Sequence, residues 1–280
     1  MKPIEKTVET LIINSTLTEQ SGLFYGKIGI AVFFFHYARH TGNVLFQEYA
    51  MDLIEEIQQQ IDVTVSVRYD IGLSGIGTCL EYLLQKGFIE AEDNYLFDDL
   101  DARMYRAAMY EPYPDLSLEE GLTGLGRYFI YRIRGSGSRI SILHEALKHI
   151  TKVFSQSIEK ENVPEKEQPD VYRFFRDVVS FPDYAKKYAD SFKKCREWKC
   201  IRKPDIPKLF PYMNDLQRLF VSQNYFKLDL TEEIEKEWSK WKETNNDSLT
   251  DMGLLKGWTA EGMLYLTKIH NHDVSWINLL

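Results

Sequence analysis

Glycine costs a helix roughly 1 kcal/mol relative to alanine, yet this chain repeatedly places glycines at the head of its most apolar helical stretches. The first block reads Gly26-Lys-Ile-Gly29-Ile-Ala31 and runs directly into "VFFF". It recurs as Gly72-Leu-Ser-Gly75-Ile-Gly77, as Gly121-Leu-Thr-Gly124-Leu-Gly126 and as Gly257-Trp-Thr-Ala260-Glu-Gly262. Each copy is followed by a largely apolar run, "TCLEYLL", "RYFIYRI" and "MLYL" in the last three. Gly42, Gly87, Gly135 and Gly137 then fall 14 to 16 residues after the start of their block. That is where a helix of about four turns needs a left-handed cap. Asn271 takes this place in the fourth copy.

One unit therefore repeats: a glycine loop, an apolar inner helix, a stop, and a second, amphipathic helix. The second helices are expected over 43–61, 94–110 and 140–158. In the first of these, Leu45, Tyr49, Leu53 and Ile57 recur at helical spacing against a polar face. Ser117 and Glu120 form a candidate capping box at the start of an inner helix. Small residues at positions one, four and six of each block have a packing reason, since helix ends without side chains can approach one another closely. The blocks start at 26, 72, 121 and 257, with intervals of 46 and 49 between the first three. Periods of this length mark repeat architectures.

The gap from 121 to 257 leaves room for two more hairpins, but 138–252 holds no glycine and is broken by prolines, as in "ENVPEKEQPD" and "RKPDIPKLFP". It reads as hairpins whose loop signature is lost, or as an inserted helical subdomain. The expected fold is all-α, an α/α toroid of about six hairpins in one domain over 1–280, with a divergent segment at about 160–250. The amphipathic stretch 4–13 is expected to pair beside the last hairpin and close the ring.

Charge and composition exclude several functions. A formal net charge of -8 and a pI near 5.4 argue against nucleic acid as the main ligand. The longest apolar run, 28–35, is far below the roughly 20 residues of a membrane span, so no membrane partner is expected. "MKPIEKTVET" carries no secretory pattern, and Cys79, Cys195 and Cys200 are too scattered for a disulfide framework. A cytoplasmic protein is the expectation.

Glycine loops of this kind heading inner helices resemble those of the lanthionine synthetase C-like proteins, over roughly 20–160 and 250–270. The resemblance implies an α/α toroid that adds a cysteine thiol across a dehydroamino acid, using zinc held by two cysteines and a histidine at late glycine loops. The matching positions here are Phe24 and Tyr25, Asp70 and Ile71, Glu119 and Glu120, and Leu255 and Lys256. None is cysteine or histidine, so no zinc is expected at the loop mouth and the cyclase activity is expected to be absent. The resemblance then implies a toroid that binds a peptide or protein partner as an accessory in peptide modification.

Other groups suggest alternatives. Asp70, Glu119, Glu120 and Asp251 all lie just before glycine loops. Paired carboxylates there suit general acid–base work on a carbohydrate; equally, they complement helix N-termini. From Lys186 to Lys203 eight basic residues stand against two acidic ones, with Tyr188, Phe192 and Trp198 interleaved. Tyr25, Lys193, Lys194, Trp198 and Lys199 are the binding candidates. His36 and His40 lie one turn apart near the end of the first inner helix, and His270 and His272 follow the last. His36, His40 and His270 are a candidate metal set if the two ends of the chain meet. A purely structural interaction module completes the readings.

Overall fold

The computed structural model describes residues 4–62, 64–90, 97–136, 141–198, 209–210, 212–243, 251–269 and 273–280. Asn94, Gly137, Lys199, Cys200, His270, Asn271 and His272 lie outside these. Among the described residues every regular element is a helix and no strand occurs. In chain order these are α1 (Ile4–Ser15), α2 (Lys27–Thr41), α3 (Val44–Gln60), α4 (Leu73–Gln85), α5 (Asp98–Tyr110), α6 (Leu122–Ser136) and α7 (Ser141–Glu159). They continue as α8 (Gln168–Val178), α9 (Pro182–Lys187), α10 (Ala189–Arg196), α11 (Asp215–Phe226), α12 (Thr231–Glu243) and α13 (Trp258–Ile269). The chain divides into two compact units, Met1–Val65 with Phe210–Leu280, and Ser66–Leu209.

The inner helices are α2, α4, α6 and α13, each starting one residue after its block's first glycine. Every residue of α2 from Lys27 to Ala38 is buried. Phe33, Phe34, Leu80, Tyr82, Phe129 and Leu264 are all buried, each such side chain contributing on the order of 1.5–3 kcal/mol. Even Lys27 lies inside, its Nζ 2.5 Å from Glu56 Oε2 on α3. The outer helices α3, α5 and α7 bury only one face. On α3 that face is Ala50, Leu53, Ile54 and Ile57, while Leu45, expected to share it, is 64% exposed.

In the first unit α1 packs against α13, and α13 packs against α2. The last inner helix is thus flanked by the first two helices of the chain. In the second unit α4 packs on α6 and α6 on α8, with α5 and α7 outside them and α10 beyond α7 and α8.

The stops are only partly as expected. Gly42 and Gly87 adopt positive φ, 69° and 62°, and end α2 and α4. Gly135 instead stays inside α6, where the Glu81 carboxylate occupies the space a Cβ would need. The Ser117–Glu120 pair also does not head a helix. α6 starts later; the Ser117 hydroxyl accepts from the Glu120 amide at 3.4 Å, as a capping box would have it, and donates to Asp115 Oδ1 at 2.6 Å.

Candidate functional site

The four glycine loops share one closure. The first amide of each inner helix donates to the carbonyl seven residues earlier: Lys27 to Gln20 at 2.9 Å, Leu73 to Ser66 at 2.8 Å, Leu122 to Asp115 at 3.0 Å, and Trp258 to Asp251 at 3.0 Å. This satisfies one of the four amides a helix start leaves orphaned. It also explains the first glycine, because the accepting residue's backbone lies where a Cβ would project. At Gly121 a Cβ would come within 2.5 Å of the Asp115 oxygen, and at Gly26, Gly72 and Gly257 the collisions with Gln20, Ser66 and Asp251 are closer still.

Adjacent loops are joined by a second repeated contact. The Leu255 amide donates to the Phe24 carbonyl at 3.1 Å, and the Asp70 amide donates to the Glu119 carbonyl at 3.3 Å. All four residues stand two positions before their loop glycine. The fourth-position glycine lets the loops close: a Cβ on Gly29 would lie 2.9 Å from that of Leu254, and one on Gly124 would lie 2.6 Å from that of Tyr69. The sixth-position glycine receives a ring from the neighbouring inner helix. Tyr128 covers Gly77, Phe174 covers Gly126, and Phe33 covers Gly262.

Phe174 identifies α8 as a further inner helix. It stands seven residues after Glu167, as Phe33 and Tyr128 stand seven after Gly26 and Gly121. Positions one and four of this concealed block are therefore Glu167 and Asp170. Asp170 Oδ2 accepts from the Leu118 amide at 3.0 Å, and Glu167 Oε2 accepts from the Leu116 amide at 3.1 Å. Both carboxylates are buried. The glycine pattern does not reveal this pair, because neither position is glycine; the signal in the sequence is the "EKEQPD" run, with proline opening a helix among acids.

These residues surround the expected acidic mouth of the second unit. Arg68 grips Asp70 with two bonds, Nε to Oδ1 at 2.9 Å and Nη2 to Oδ2 at 2.5 Å, and the same Nη2 reaches Glu120 Oε1 at 2.9 Å. Asp70 Oδ1 also accepts from the Ile71 amide at 2.9 Å. Asp70 is buried, Glu120 exposed and Glu119 half-buried. Burial raises the Glu119 carboxyl to about 7, reinforced by Asp70, Asp170 and Glu120, with Arg68 opposing. The mouth is thus two carboxylates bridged by one guanidinium, with the raised Glu119 carboxyl beside them. Asp251 belongs to the first unit, where it is exposed and contributes its carbonyl to the loop.

The loop positions do not fit zinc. Phe24 is fully buried and stacks on Tyr212 at 6.3 Å, Leu255 is fully buried, and Asp70 is committed to Arg68. No group of three His, Cys, Asp or Glu side chains among the described residues converges as a metal site. Of the histidine set, His36 is fully buried and His40 exposed, while His270 lies outside the described residues. Cys79 is buried in α4, its thiol pushed far up by desolvation, and Cys195 is buried in α10. Tyr25 is half-buried beside Phe24, Lys193 and Lys194 are exposed on α10, and Trp198 is half-buried. No protein-family model matches the chain, and no curated protein matches it. No described helix is long and apolar enough to cross a membrane.

Proposed function

We propose that the chain is a lanthionine synthetase C-like α/α toroid that has given up zinc-dependent cyclisation and binds a peptide or protein partner, as an accessory in peptide modification. Its glycine-headed joints support the fold, since the same loop-to-loop bond and ring-over-glycine contact recur in both units. The observation that carries the loss of chemistry is the fate of the loop positions. Phe24 and Leu255 are packing residues, and Asp70 and Glu120 are held by Arg68. None offers the thiolate or imidazole set that would bind zinc and generate a thiolate nucleophile. A dehydrated, cysteine-containing model peptide tests this. Cyclisation does not change its mass, so the readout is loss of the alkylatable thiol. Binding measured by fluorescence anisotropy with the thiol retained is the expected result; thiol loss, or no binding, overturns the reading.

One observation favours a second reading. A carboxyl raised to about 7 beside two further carboxyl groups has the character of a general acid, as carbohydrate hydrolysis requires. In that reading Glu119 donates the proton and Asp70, fixed by Arg68, is the second carboxyl group. Hydrolysis of nitrophenyl glycosides that fails above about pH 7 and is abolished in Glu119→Gln would replace the first reading with this one.

A further inference from the structure

The face formed by α7, α9 and α10 carries a group of exposed cations. Lys186 and Lys187 end α9, while Lys193, Lys194 and Arg196 end α10, and all five are exposed. None forms an ion pair among the described residues. Lys187 lies 5.1 Å from the Tyr188 ring centroid, and Arg196 lies 6.0 Å from that of Phe192. Basic residues at helix ends complement the macrodipole, which accounts for their positions along each helix.

Two contacts align α9 and α10 along α7. The Tyr184 hydroxyl donates to the His144 carbonyl at 3.3 Å, and the Ser191 and Ser155 hydroxyls pair at 3.0 Å. Lys148 and Lys152 lie between these points on the stripe of α7 that includes Ser155, and both are exposed. Seven cations thus share this face with five exposed carboxylates, Glu145 and Glu159 on α7, Asp183 on α9, Asp190 on α10 and Glu197 directly after it. The protein as a whole is at -8.

We infer that this face docks an acidic polypeptide segment. A peptide suits it better than a nucleic acid for two reasons. Asp183, Asp190 and Glu197 interrupt any continuous phosphate track. An extended polyanion also meets the surrounding negative protein, whereas a short acidic segment stays within a Debye length, about 8 Å at physiological salt, of the cations. A lipid surface is disfavoured because none of the large exposed apolar side chains lies on α7, α9 or α10. Steering by such a patch acts mainly on encounter rate and specificity. The inference rests on the peptide-binding half of the proposed function and not on the loss of cyclase chemistry.

The probe is a fluorescein-labelled peptide of alternating glutamate and serine, titrated with the full chain. We expect the quadruple reversal Lys148→Glu, Lys152→Glu, Lys193→Glu, Lys194→Glu to weaken binding at least about tenfold, and high salt to weaken the wild type similarly. Lys236→Glu with Lys256→Glu, exposed positions of the first unit, should leave affinity within about twofold. A quadruple variant that binds normally overturns the inference, and so does an equal loss in the control pair. Oligothymidylate or phosphatidylserine vesicles binding as tightly as the peptide at the same salt also overturn it. All the substituted lysines are exposed, so an unchanged melting temperature checks the fold. If the dehydrated peptide still binds the quadruple variant while the acidic probe never binds, this surface is wrong and the accessory reading survives.

Discussion

The joint between α4 and α6 and the joint between α6 and α8 solve one packing problem with opposite side chains. In the first, Gly124 at the fourth position brings its backbone against the Cβ of Tyr69, three residues before the preceding loop glycine. In the second, Asp170 at the fourth position meets Leu118, also three residues before the preceding loop glycine, and accepts its amide at 3.0 Å. One joint closes by removing a side chain, the other by inserting a carboxylate that satisfies a buried donor. The difference teaches that the repeat conserves a position in space more strictly than a residue type. A missing Cβ permits close approach but adds no bond of its own. The carboxylate adds about 1.5–3 kcal/mol for a charge-assisted bond, offset by its own desolvation.

The glycine joints should break most severely. At Gly72 a new Cβ would run into backbone oxygens of Ser66 and Arg68, which no side-chain rotation can relieve. Gly72→Val should therefore cost more than about 3 kcal/mol, through overpacking and loss of the Leu73–Ser66 bond. Urea unfolding measures it. A midpoint equal to that of the wild type would show that the loop has another way to close.

The carboxylate joint should break more gently. Asp170→Ala leaves the Leu118 amide buried without its acceptor, at a cost of about 1–3 kcal/mol. Asp170→Asn keeps an acceptor oxygen and should recover most of that loss. It also removes one of the charges that raise the Glu119 carboxyl, which should titrate closer to 4.5. A Glu119 titration followed by NMR that ignores Asp170→Asn would mean the two carboxylates do not feel one another.

How much of this was legible follows from the same contrast. The glycine blocks announced α2, α4, α6 and α13 because close approach admits only one residue type at the first position. α8 was hidden because its joint uses Glu167 and Asp170, which a linear reading assigns to a solvated loop. The Arg132 network was hidden for a related reason. Its guanidinium bonds Glu81 at 2.6 Å and Asp101 at 2.8 Å inside the second unit, over the Phe97 ring. Those charges look solvent-facing until the fold brings them together. The acidic mouth was legible by position, but its working state depends on Arg68, whose two bonds to Asp70 have no periodic signature.

Glu119 sharpens the comparison through pH. Its folded carboxyl titrates at about 7, against 4.5 for the ordinary group, so the folded state holds the proton more tightly than the unfolded chain does. The stability from that proton is fully present below about 4.5 and is lost as pH rises through about 7. Glu119→Gln mimics the protonated form. It should match the wild type near pH 5 and exceed it near pH 8 by on the order of 1 kcal/mol, solvent screening of the half-buried group included. Unfolding curves that stay parallel across this range would place the Glu119 carboxyl in an ordinary, solvated state.

Gly42 offers the smallest effect and separates two reasons for glycine. Its φ of 69° is left-handed, yet an added Cβ would meet no atom within 4 Å. Gly72 is the reverse case, with an extended φ of -127° and no room at all. At Gly42 the cost of a side chain is conformational, so Gly42→Ala should lose less than about 1 kcal/mol, part of it recovered by restricting the unfolded chain. Gly42→Asn should lose less again, because asparagine tolerates the left-handed region. Thermal unfolding of the three forms should give the order glycine, asparagine, alanine. A loss at Gly42 as large as that at Gly72 would mean that backbone conformation, and not the absence of space, governs where this chain places its glycines.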